Sequence, residues 1–342
     1  HHADALSGMA VQADAGPAAA VEAVCDDKYK IFQIYSQRAK EGFMNRRIWF
    51  HADDFGVTAA QSERILSCFR EGVLNSVSIL PNAPALPASL ALLNQADPDG
   101  TQIRRVLHLN FVEGRPLAGA DNVPDLVDDT GFFDKSFIQF FRWNYMKRGA
   151  GRQNLARQLK LEIAAQLRAV TAVHDFRISA IDSHQHYHMI PLVFDSLMEV
   201  LLEREFEHLG IHQLRVPADP LTPLLHHKKM RRGVPWINWV KWCILNIHAE
   251  RNKKILQKKG IEVPVFFGMF YTCEMKTEVV EALLPAYRTY ADRREQALEL
   301  MFHPGNLAAR AELLDERSEE LAAFYLSGSR FEEAECLKRI VP

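Results

Sequence analysis

Nothing in this chain marks a disulfide framework, a thiolate metal cage or a membrane span. Its five cysteines, Cys25, Cys68, Cys243, Cys273 and Cys336, are odd in number, and no two stand at CxxC spacing. A reducing compartment is therefore expected. No uninterrupted apolar run is long enough to cross a bilayer. The opening residues His1-His2-Ala3-Asp4 lead into no basic stretch followed by an apolar one, so no secretory leader is legible and the cytoplasm is the expected location. Charge of one sign is not in excess either. With 41 Lys and Arg against 43 Asp and Glu, a net charge of −2 and a pI near 6.7, nucleic acid is not an expected partner. There is no internal repeat.

What is present is ordinary in bulk: 48% hydrophobic and 25% charged residues in a chain of 342 suit a globular protein with a sizeable core. That length fits a single α/β barrel. Residues 1–43 read as an N-terminal extension, rich in Ala, Asp and Gly at first, with a possible short helix over Asp26–Phe43. Met44 runs into a first strand, and 44–342 reads as one domain.

From there strands and helices alternate. Short apolar runs at Ile48–Ala52, Val73–Leu80, Val106–Leu109, Ile178–Asp182, Leu214–Val216, Val263–Phe267 and Ala297–Phe302 read as strands. Ala59–Glu71, Leu155–Val170 and Leu192–Leu202 read as helices, and Gly72 as a helix stop. Alternation of this kind implies a parallel sheet with crossover helices. A barrel and an open doubly wound sheet both satisfy it. In barrels the chemistry gathers at the C-terminal ends of the strands, and Asp53-Asp54, His108, His184 and His303 each close an apolar run.

Taken singly these residues are weak signals. An Asp-Asp pair is more often a turn or an N-cap than a ligand pair, and a strand-end histidine is more often hydrogen-bonded than ligating. His184, His186 and His188 shift the balance, because alternate residues of an extended segment share a face and imidazole is the commonest metal ligand. A metal-dependent hydrolase is the reading that unites them.

Five stretches occur in order: Ala52-Asp53-Asp54-Phe55-Gly56; His108-Leu109-Asn110 followed by Glu113-Gly114-Arg115-Pro116; Asp182-Ser183-His184-Gln185-His186-Tyr187-His188; Arg215-Val216-Pro217; and His303-Pro304-Gly305. Together they resemble the YdjC-like carbohydrate deacetylases, whose best-described members are chitooligosaccharide deacetylases, from about Arg46 to Asn306. The resemblance implies a distorted (β/α) barrel of the glycoside hydrolase/deacetylase type and one divalent metal ion, magnesium or zinc. It implies Asp54, His108 and His184 as metal ligands, Asp53 as general base and His303 as acid. The expected substrate is an N-acetylated amino sugar or short oligosaccharide, and a homodimer is expected from the family. His51 and Val112 depart from the Asn and Thr frequent in that family; neither is an expected ligand. Asp182 could orient a ligand histidine. Arg215 could hold a substrate oxygen or an acid, with Asn110, His186 and His188 as further substrate or supporting contacts. A metal phosphoesterase and a non-catalytic glycan-binding protein are the alternatives.

One segment lies outside this scheme. A basic and Trp-rich helical insertion at about 220–260 carries His226-His227-Lys228-Lys229-Met230-Arg231-Arg232, then Trp236, Trp239 and Trp242, then Arg251, Lys253 and Lys254. An amphipathic helix packed on the barrel, a surface stacking on sugars, and a stretch 226–254 touching an anionic membrane or a lipid-linked glycan would each use these residues.

Overall fold

The structure, a computed structural model, describes residues 48–173 and 176–341; the extension over 1–43 and the start at Met44 lie outside them. Seven strands, β1 (Ile48–Phe55), β2 (Ser76–Ile79), β3 (Arg104–Leu109), β4 (Ala180–Ser183), β5 (Gln213–Leu214), β6 (Val265–Phe267) and β7 (Leu298–Phe302), form one parallel sheet. Their order is β5-β4-β3-β2-β1-β7-β6. A parallel bridge between Gln213 and Glu262, just ahead of β6, joins the two outer strands. Glu262 donates to the His212 carbonyl at 2.8 Å and accepts from Leu214 at 3.1 Å. The sheet therefore curls into a distorted barrel closed at that single point.

Helices cover the outside: α1 (Ala59–Arg70), α2 (Leu86–Ala96), α3 (Phe137–Met146), α4 (Gly149–Thr171), α5 (Pro191–Val200), α6 (Leu221–Leu225), α7 (Lys228–Gly233), α8 (Trp236–Lys258), α9 (Thr277–Asp292), α10 (Glu319–Tyr325) and α11 (Gly328–Arg339). Thr58 caps α1 by accepting from the Gln61 amide at 3.0 Å. Pro191 opens α5, where a missing N–H costs nothing. Pro81, Pro84 and Pro87 read from the sequence as punctuating the turn after the second strand, yet Pro87 lies in the first turn of α2, the one helical place that tolerates it. Gly72 is not a left-handed stop. A Cβ there would meet the Leu337 carbonyl at 2.3 Å, and Val73 donates to that carbonyl at 3.0 Å. The glycine lets α11 lie against the end of α1.

Every strand residue except Ile48 is buried, so alternation sorts them into an outer apolar face and an inner polar one. Phe50, Ala52, Val77, Ile79, Leu107, Ile181, Leu298, Leu300 and Phe302 join the large apolar cluster with the helices. Trp49, His51, Asp53, Ser76, Ser78, Arg104, His108, Asp182 and Glu299 contact one another across the barrel. The interior is a column of charged and hydroxyl groups in place of the aliphatic layers common in barrels.

Candidate functional site

At the C-terminal end of β1, alternation sends the Asp53 side chain inward and would send Asp54 outward. Register breaks between Ala52 and Phe55, and Asp54 takes φ 63°. Such a left-handed turn is tolerated by aspartate better than by most residues. It swings the second carboxylate back over the barrel mouth beside the first. A second strained stretch follows β4: His184–Met189 is a 3₁₀ turn with Gln185 at φ 48° and His186 at φ 62°. The three histidines are thus wound, not extended, and point to different places. Local strain of this kind gathers at functional sites.

Arg215 forms the floor. Its Nη1 and Nη2 each lie 2.8 Å from an oxygen of Asp53, Nη2 is also 2.8 Å from Asp182 Oδ2, and Nε donates to Glu299 at 2.5 Å. Arg104 reaches Glu299 from below. Burial alone would push these acids up. Arg215 beside Asp53 and Asp182 instead holds both well below the ordinary carboxylate range, and Arg215 with Arg104 holds Glu299 at about 2. His51 lies beneath, its ring nitrogens 2.6 Å from Ser76 and Ser78 and Nε2 3.1 Å from Asp53.

Above this floor Asp54, His108 and His184 offer ligand atoms within 4.8 Å of one another. Asp54 Oδ1 is 3.0 Å from His184 Nδ1 and 3.5 Å from His108 Nε2. Asp182 Oδ1 accepts from His108 Nδ1 at 2.7 Å, which turns the Nε2 lone pair towards Asp54, as a carboxylate does for a metal-bound histidine. That Nε2 is buried and has no hydrogen-bond partner among the described residues. Desolvation would lower the His108 pKa, but Asp182, Asp54 and Asp53 push it up to about 10; the surroundings favour positive charge at the ring. One carboxylate and two imidazoles suit a divalent ion, zinc especially. A second cluster, His51, Asp53 and Asp182, is already served: the Arg215 guanidinium stands where a cation would.

His303, just past β7, places Nε2 3.9 Å from Asp53 Oδ2 and Nδ1 3.7 Å from Glu333 Oε2. The sequence reading missed Glu333, Arg330 and Tyr325 and gave Glu113, named within a motif, no role; all four are buried here. Glu333 accepts from the His303 amide and, at 3.0 Å, from Met275. Arg330, one turn earlier on α11, donates to Asp54 Oδ2 at 3.0 Å, leaving Oδ1 for the histidines. Glu113 accepts from Tyr325 at 2.6 Å and lies 3.4 Å from His184 Nε2. Burial raises its pKa, opposed by His184 and Tyr325. The motif Glu113-Gly114-Arg115-Pro116 was the one available signal for Glu113; for α11, lacking any recognisable motif, there was none.

The supporting residues separate. His188 is enclosed, with Nδ1 2.6 Å from Ser183 Oγ and Nε2 2.8 Å from the Arg215 carbonyl. Asn110 shapes the next loop, accepting from Val112 at 2.9 Å and donating to the Glu113 carbonyl at 3.0 Å. His186 packs edge-on to Phe266, with Nδ1 unpartnered among the described residues.

Known proteins are similar to this chain in sequence and in fold. A chitooligosaccharide deacetylase of Yersinia enterocolitica is 28% identical over 153 residues, 44% of this chain and 54% of that protein. A carbohydrate deacetylase of Thermoanaerobacter pseudethanolicus is 25% identical over 188 residues, 55% of this chain and 65% of that protein. The chain thus spans little more than half to two thirds of these two relatives. A mouse carbohydrate deacetylase is 29% identical over 274 residues, 77% of this chain and 79% of its own. In fold, a crystal structure from Enterococcus faecalis, described as a cellobiose-phosphate cleavage protein, superposes with a TM-score of 0.56 at 19% identity, over 85% of this chain and 90% of that one. The family model for YdjC-like proteins matches residues 47–336, and the chain belongs to the YdjC-like family.

Proposed function

We propose that the protein is a carbohydrate N-deacetylase that hydrolyses the acetamido group of an amino sugar or short oligosaccharide. One divalent cation, zinc or magnesium, would be held by Asp54, His108 and His184. The observation that carries this reading is an ionised carboxylate and an imidazole, Asp53 Oδ2 and His303 Nε2, 3.9 Å apart, beside three converging donors. When bound, the cation acidifies water and polarises the acetyl carbonyl.

Asp53 would take the proton of the attacking water. Both its oxygens accept from Arg215, which fixes the plane of the carboxylate and keeps it ionised at neutral pH. A carboxylate so stabilised is a feeble base towards bulk water, so the assignment requires water that is already acidified. His303 gives a proton to the departing nitrogen, which then leaves as an amine. The water oxygen joins the acetyl carbon, the C–N bond breaks, and acetate and the free amino sugar result. Phe324, edge-on to His303 at 5.4 Å between centroids, packs the acid in place.

Phosphoesterases on such sites generally use a second cation. Here Arg215 fills the second acidic cluster, which favours the single-cation reaction. The test is mass spectrometry of N,N′-diacetylchitobiose after incubation with cation-loaded protein. Loss of an acetyl group, stopped by chelation and restored by added zinc or magnesium, is expected; intact sugar with the cation bound would sink deacetylation of this substrate class.

A further inference from the structure

The helix α8 has apolar side chains on both faces. Towards the barrel it buries Asn238, Leu245, Ala249, Asn252 and Leu256. It is pinned there by Asn238 to the Phe270 carbonyl at 3.0 Å, Trp242 to the Asp219 carbonyl at 2.9 Å and Asn252 to the Met189 carbonyl at 3.1 Å. The outer face should be polar on a helix that ends its contacts at the barrel. Instead Trp236 is 74% exposed, Val240 40% and Ile247 57%, with Ile237 at 42% beside them. Positions 236, 240 and 247 fall on one stripe.

Positive charge surrounds it. Between His226 and Lys259 there are ten lysines and arginines against one acid, Glu250, in a chain of net charge −2. Lys229, Arg251 and Lys253 have acidic partners. Lys228, Arg232, Lys241 and Lys254 are exposed, with no ion pair among the described residues. Alongside, Tyr145 of α3 contacts His248 at 2.8 Å, and Met146 is 67% exposed.

We infer that this face docks the protein on an anionic phospholipid surface. Exposed Trp and aliphatic side chains enter the headgroup boundary while the flanking cations meet lipid phosphates. The contact is peripheral, because no described helix is long and apolar enough to cross a membrane. A second copy is a poorer occupant, since a two-fold contact would set this cationic face against itself. Met189, Asp219 and Phe270 all follow the C-terminal ends of strands. The docked face therefore lies at the end of the barrel that carries Asp53, Asp54 and His303.

The test is co-sedimentation of the full chain with vesicles of phosphatidylcholine alone and of phosphatidylcholine with phosphatidylglycerol. Binding at least about tenfold tighter to the anionic vesicles, weakened by salt, is expected. Replacing the stripe (Trp236→Ser, Val240→Ser, Ile247→Ser) should reduce it about tenfold, and so should Lys228→Glu with Arg232→Glu and Lys254→Glu. Thermal melting and hydrolysis of a soluble acetylated sugar should stay unchanged. Equal binding to both vesicles, or retention by either variant, overturns the proposal. So does a dimer that the Ser variant splits in the absence of any vesicle binding, which would assign the stripe to a second copy.

Discussion

Arg215 is the residue on which most of the site depends. It neutralises three buried carboxylates, Asp53, Asp182 and Glu299, with one rigid fork, and a lysine cannot reproduce that geometry. Arg215→Lys should therefore lower unfolding stability by about 3–5 kcal/mol, the range for a buried pair losing one partner, as read from urea titration. A loss under about 1 kcal/mol would show that the acids relax without it. Glu333→Gln is the milder probe. It keeps an acceptor for only one of the His303 and Met275 amides, which bond to different Glu333 oxygens, and removes the charge 3.7 Å from His303 Nδ1. We expect kcat to fall roughly tenfold with KM unchanged; a raised KM alone would assign Glu333 to binding.

Among the elements, α11 shows how a remote segment controls the site. It sends Arg330 to Asp54 and Glu333 to His303, and its own position depends on Gly72. Gly72→Ala has no room beside Leu337 and Lys338, so α11 must shift. Stability should fall by about 1–3 kcal/mol, as for overpacking elsewhere, and turnover should fall with it. Gly328→Ala, with nothing within 4 Å, serves as the control and should be silent; equal behaviour of the two variants would contradict this role. The same helix marks where the sequence stopped being legible. Strand runs were readable because the face packed on the helices is apolar in every strand, and each of the seven has its counterpart in the barrel. The left-handed backbone at Asp54 was not, because alternation describes regular strands. Arg330 and Glu333 were hidden for another reason: charges on a helix read as solvated, and only tertiary packing turns these two inward. Gly72 was seen, but as a stop signal; its contact partner lies 265 residues away.

For the whole molecule, buried groups held below their ordinary values make stability fall as pH falls, while His108, held up at about 10, contributes in the opposite sense. Burial and the neighbouring Arg215 and His108 hold His188 near 4, against the bond it donates to the Arg215 carbonyl and the charge of Asp182, while Glu299 is held near 2. In both cases the unfolded chain binds the proton at higher pH than the folded one. Stability is full above the unfolded values and is lost as pH falls, between about 6.5 and 4 for His188 and between about 4.5 and 2 for Glu299. Each shift corresponds to about 3 kcal/mol. The melting temperature should drop steadily below about pH 6.5, and His188→Gln should flatten the upper part of that drop; a profile flat to pH 4 would contradict the assignment. The central claim, that one set of residues holds the cation and another moves the proton, is tested most directly on a single sample of Asp53→Asn. Bound cation and deacetylation rate should be measured together. We predict occupancy equal to that of the unaltered protein and a rate about 10²–10⁴-fold lower. An undiminished rate, or a cation lost along with the carboxylate, would contradict the division of labour between Asp53 and Asp54.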